Sequence, residues 1–144
     1  MTMKLPDWNE LAKRGIDVTL DDILHVMTLG RTKEDEGKVR HSFDLMRQYF
    51  RDELEKSKGL SQSEAFALGK PYNDPSKTVE SQVDFYTMTK KGIMRVDGDG
   101  NQHISSKWEK IVKLAAILKV GTKKERRYVE ETLIKVNRGT PYSL

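Results

Sequence analysis

A mainly α-helical fold carrying one β-hairpin is what this sequence predicts, and three observations carry the prediction. Apolar residues recur at spacings of three and four along most of the 144-residue chain, as on the buried stripe of a helix. Capping residues and glycine stops cut that pattern into short pieces. After Gly92 the period changes to two on both sides of the turn-rich run DGDGN, which predicts two paired strands.

The elements follow in order. Asp7 with Glu10 opens a short helix carrying Trp8 and Leu11 before Gly15, and Thr19 with Asp22 opens a second through Leu20, Ile23, Leu24 and Met27 to Gly30. From Lys33 to about Ser57, Val39, Phe43, Met46, Phe50 and Leu54 mark a long amphipathic helix. Ser61 with Glu64 starts a short helix through Ala65, Phe66 and Leu68, ended by Gly69. After the turn KPYNDP, Asn73 or Asp74 is expected to cap a helix over 75–91 with Pro75 in its first turn. Ile93–Val96 and Gln102–Ser105 are the expected strands. Ser106 is expected to cap a helix bearing Trp108, Ile111, Val112, Ala115 and Leu118 up to Gly121. Thr122 with Glu125 starts the last, bearing Tyr128, Val129, Leu133 and Val136, with Gly139 and Pro141 beyond.

Composition narrows the class. At 36% hydrophobic and 33% charged residues, the chain is expected to fold with a heavily charged surface. It is read as one domain over 1–144, with N-terminal helices in 1–32, a core in 33–105 and basic helices in 106–144. The absence of cysteine removes disulfides, thiol nucleophiles and zinc-thiolate sites. No apolar run approaches the roughly 20 residues of a membrane span or resembles a signal peptide, so a cytoplasmic protein with no membrane partner is expected. The net charge of +4 favours an anionic partner. The excess lies late: from Lys107 onward, ten basic residues face only Glu109, Glu125, Glu130 and Glu131.

Between Lys33 and Ser105 the order is long helix, short helix, turn, helix, hairpin, and the piece FYTMTKKGIMRVDGDGNQHIS holds Phe85 and Met88, Lys90 and Lys91, Gly92, then Ile93 and Met94. This resembles the winged helix-turn-helix superfamily of DNA-binding domains, with N- and C-terminal helices flanking the winged core. The resemblance implies that the helix 75–91 approaches the major groove of double-stranded DNA, and that the wing 93–105 lies over the adjacent backbone. Lys77, Ser81 and Gln82 would then face base edges, with Lys90, Lys91 and Arg95 on phosphates. It also implies a homodimer through residues 1–30 and 107–138. Lys123, Lys124, Arg126 and Arg127 of the basic C-terminal third join the candidate DNA-binding set.

Other constellations read as structure. Asp97, Asp99 and Asn101 match the first, third and fifth positions of a calcium loop, but the sixth is Gln102 and the twelfth Trp108; a hairpin turn accounts for them. His25, His41 and His103 share no metal-ligand spacing, and His25 after Asp21 and Asp22 reads as a solvated helix-face pair. No phosphate loop, nucleophile elbow or nucleotide fingerprint is present. No enzyme activity and no cofactor are therefore expected. Most aromatic residues fall on apolar faces and read as core, with Tyr49, Tyr72 and Tyr142 fitting least well. The expected function is a small DNA-binding transcriptional regulator of bacterial, phage or plasmid type. The alternatives are a protein-interaction module acting on a polymerase or replication factor, favoured by the acidic residues Glu80, Asp84, Asp97 and Asp99, or an accessory protein of DNA packaging or replication initiation.

Overall fold

Local capping builds the helices as the sequence predicts, with two shifts. The computed structural model describes residues 3–139; Thr140, Pro141 and Tyr142 lie outside the described residues. Its order is α1 (Trp8–Lys13), α2 (Leu20–Thr28), α3 (Lys33–Lys56), α4 (Gln62–Ala67), α5 (Val79–Lys90), β1 (Met94–Val96), β2 (Gln102–Ile104), α6 (Ser106–Val120) and α7 (Lys123–Gly139). Reciprocal capping boxes start α2 at Thr19/Asp22 and α4 at Ser61/Glu64. Thr122 and Glu125 exchange the same pair of bonds ahead of α7.

The first shift is the start of α5, four residues later than expected. Asp74 Oδ1 accepts from the N–H and hydroxyl of Ser76, a local Asx-type turn that uses the oxygen a cap would need. Thr78 accepts from the Ser81 N–H and caps α5 instead. The second is α6, which follows Ser105 rather than Ser106 as its N-cap residue.

The chain divides into two compact units, Met1–Arg40 with Ile104–Leu144, and His41–His103. In the first, α6 packs against α1, α2 and α7, and α2 also meets α7. Ala115 and Ala116 of α6 are buried, and such small residues let neighbouring helices come close. The end of α2 is closed by borrowed donors: Asn137 Nδ2 gives hydrogen bonds to the carbonyls of Val26 (3.0 Å) and Leu29 (2.8 Å), and Arg31 Nε gives one to Met27. These are carbonyls a helix cannot satisfy from within itself. Gly30, at φ +86, lies so close to α7 that a Cβ would stand 2.7 Å from Ile134 Cα.

In the second unit Phe43, Leu54, Ala65, Val83 and Ile93 are buried. Gly92 takes φ +78, its N–H bonds the Thr89 carbonyl and that of Ile93 the Met88 carbonyl. This left-handed cap turns α5 into β1 at the expected residue. The hairpin turn closes by Gly100 N–H to Asp97 O and Asp97 N–H to Asn101 O, with Gly100 at φ +85. Asp97 Oδ1 accepts the N–H groups of Asp99 and Asn101, and Oδ2 lies 2.7 Å from His103 Nε2.

A mainly helical chain with one hairpin is thus observed. The stretch from the end of α4 to the start of α5 runs from Leu68 to Thr78, far longer than the 3–4 residues of a tight helix-turn-helix corner. Two apolar assignments also move. Phe66, expected on a buried face, is 87% exposed while its neighbour Ala65 is buried. On α5 the buried positions are Gln82, Val83 and Thr87, whereas Phe85 and Met88 are half-buried. Apolar residues surround α5, so spacing alone does not select the inward face.

Candidate nucleic-acid interface

The candidate residues fall into two groups, one in each unit. In the His41–His103 unit, Lys77, Ser81, Lys90 and Arg95 are exposed. Lys91 is half-buried, with its Nζ 4.7 Å from the centre of the Phe43 ring, a cation–π contact that occupies it locally.

Gln82 is a correction. It is 5% exposed, its Oε1 accepts the Asp74 N–H at 2.8 Å, and its Nε2 donates to the carbonyls of Asp74 and Thr78. Its amide ties the Lys70–Thr78 stretch to α5, helped by Tyr86, whose hydroxyl donates to Tyr72 O, while Asn73, which donates to Leu54 O, ties the same stretch to α3. It cannot read a base edge. The signal available in the sequence was its place beside Val83, one helical turn before Tyr86.

The acidic residues of α5 are committed too. Asp84 Oδ1 lies 3.3 Å from Arg47 Nε, and the Glu80 carboxylate takes bonds from Arg51 Nη2 and Nε. Both arginines stand on α3, so these carboxylates face that helix. A groove of about 470 Å³ is lined instead by Lys77, Ser81, Gln82, Phe85 and Met88, with Met94 and Gln102 of the hairpin and with Asp74, whose Oδ1 is held by Ser76. Asp97 is spent on the turn, its carboxyl held below the usual range first by His103 and then by the Asn101 N–H. Asp99 is the exposed acid of the tip. Across residues 41–103, nine basic and ten acidic side chains nearly cancel.

The other unit holds the charge. Its basic run sorts itself by pairing. Lys119 Nζ binds Asp22 Oδ2 at 2.9 Å and the Asp17 carbonyl. Glu125, the one acid within 119–127, accepts Arg14 Nη1 at 2.6 Å and the Thr122 N–H at 2.8 Å, and Arg14 pulls its carboxyl below the usual glutamate range. What remains is Lys123, Lys124, Arg126 and Arg127, all exposed and, among the described residues, in no ion pair. They occupy the first turns of a 17-residue helix, where the helix dipole adds to the positive potential. At 1.5 Å of rise per residue the four sit within about 6 Å along the axis.

The chain was compared with protein-family models, with curated proteins and with solved structures, and nothing matches.

Proposed function

We propose that this protein binds double-stranded DNA as a small transcriptional regulator of bacterial, phage or plasmid type, with backbone phosphates held by Lys123, Lys124, Arg126 and Arg127. The observation that carries the reading is the pairing pattern at the start of α7: the neighbouring acid is taken by Arg14, and the four cations are left to solvent. Phosphate contacts supply most non-specific affinity. Lys77, Ser81, Lys90 and Arg95 form the second set; Lys77 and Ser81 border the groove, where Asp74 is the acid in the lining, while Glu80 and Asp84 of α5 face Arg51 and Arg47. A homodimer belongs to the reading, and light scattering measures it directly.

The test is titration of a fluorescent 25-bp duplex at several salt concentrations. Four contacts imply a slope of about −3.6 in log K against log salt, from −0.9 per phosphate, which is a loss of roughly 150-fold between 50 and 200 mM. The variant with alanine at 123, 124, 126 and 127 is expected to lose that slope. An unchanged slope removes the proposal.

A second reading, a protein-interaction module for a polymerase or replication factor, is favoured by one observation. Residues 41–103 are near-neutral and expose Leu45, Tyr49, Phe66 and Leu68 at 57–87%, more than isolated apolar residues on a monomer surface require. Substituting Leu45 and Tyr49 with Ser separates the readings: DNA affinity is kept under the first, and partner capture is lost under the second.

A further inference from the structure

We propose a binding site for a small amphipathic carboxylate in the Met1–Arg40 and Ile104–Leu144 unit, in a cleft between α2, α6 and α7. Its wall is apolar, built from Met27 of α2, Ile111 and Leu114 of α6, and Leu133 and Val136 of α7. Val26 and Val39 complete it, both buried. Its volume is about 270 Å³, room for roughly nine water-sized groups at about 30 Å³ each. That is the size of one short alkyl or aromatic tail, and it lies just below the usual range of ligand pockets.

Charge selects the head group. Among the described residues, the charged ones lining the cleft are both cations, Arg31 and Lys110, with no acid. Lys110 is exposed and, among the described residues, makes no ion pair. Arg31 is anchored through its Nε to the Met27 carbonyl, which fixes the guanidinium near that wall. The cleft is also held in shape before any ligand arrives: Asn137, one of its lining residues, spends both Nδ2 protons on the end of α2. Pre-formed walls spare the ligand an ordering cost. A helical partner would need several anchors at i, i+3, i+4 and i+7, whereas this cleft accepts one tail. The inference is independent of the DNA-binding reading, because it uses none of the four exposed cations of α7.

The experiment is a methyl-resolved NMR titration of the full chain with octanoate, octylamine and a short acidic peptide carrying one leucine, each below its aggregation concentration. Octanoate is expected to shift Ile111, Leu114, Leu133 and Val136, and to bind at least tenfold tighter than octylamine. Val136→Trp fills the cleft from a half-exposed position, so folding is retained, and binding should weaken more than tenfold. Lys110→Gln should cost up to about fivefold, the range of an exposed ion pair, and narrow the preference over octylamine. Equal binding of the amine, shifts elsewhere in the chain, no effect of Val136→Trp, or tighter binding of the peptide at the same methyl groups would each overturn the proposal.

Discussion

Gly30 and Gly15 form a matched pair for testing how the first unit closes. Both have positive φ, +86 and +81, so alanine at either meets the same left-handed backbone penalty of about 1–2 kcal/mol. A Cβ at Gly15 meets no atom of the described residues within 4 Å. One at Gly30 falls 2.7 Å from Ile134 Cα and 3.1 Å from its Cβ, and a backbone atom cannot rotate aside. Forced overpacking of this kind costs about 1–3 kcal/mol more. The strain adds to the loss of the Asn137 bonds if α2 and α7 move apart. Gly30→Ala is therefore expected to destabilise by about 2–5 kcal/mol and Gly15→Ala by about 1–2. Both tryptophans, Trp8 and Trp108, lie in this unit, so denaturant unfolding followed by their fluorescence reports it without the other. Equal losses for the two variants would refute the argument that close helix approach, rather than backbone conformation alone, requires Gly30.

Three further outcomes follow from the same geometry. Thr87 is fully buried and its hydroxyl has no hydrogen-bond partner among the described residues, so Thr87→Val should be neutral or stabilise by up to about 1 kcal/mol in thermal unfolding followed by circular dichroism; a clear loss would show that the hydroxyl is used. Gln82→Ala should cost about 1–3 kcal/mol by orphaning the Asp74 N–H and leave DNA affinity unchanged, the reverse of Lys77→Ala in the duplex titration. For pH, Glu125 is held low by Arg14, and Asp22 is held low by the Thr19 N–H and Lys119 although burial pushes it upward. Their stabilisation is full above the unfolded carboxylate values near 4 and is lost as pH falls through the lower folded values. The fluorescence midpoint in denaturant should thus drop below about pH 4, and by less in Glu125→Gln; an equal acid loss in that variant contradicts the assignment.

Much of the fold was legible because its signals are local. The Thr19/Asp22, Ser61/Glu64 and Thr122/Glu125 boxes need only three residues of spacing, and Gly92 reverses the chain through its own backbone freedom. Asp74 misled for an equally local reason, since an Asx-type turn and a helix cap use the same side-chain oxygen. The inward face of α5 was not legible: Val79, Val83, Phe85, Tyr86 and Met88 point around the whole helix, and the choice is made by contacts with α3 and with the Lys70–Thr78 stretch. Gln82 follows from that choice. A polar residue beside Val83 is buried because the backbone of the turn just before α5 supplies its partners.

Charge is where sequence and structure differ most usefully. A run such as KVGTKKERR reads as five cations and one anion, yet what a phosphate would meet depends on contacts about a hundred residues away. Arg14 removes Glu125 and Asp22 removes Lys119, so the run loses one charge of each sign and keeps four cations in a shorter space. On α5 the same process works in reverse, as Arg47 and Arg51 withdraw Asp84 and Glu80 from consideration. Net charge along the chain therefore misjudges both helices, weighing three carboxylates, Glu80, Asp84 and Glu125, that already have partners. The relevant quantity is the charge left after internal pairing, and by that measure the start of α7 keeps four exposed cations between 123 and 127, ahead of the exposed Glu130 and Glu131.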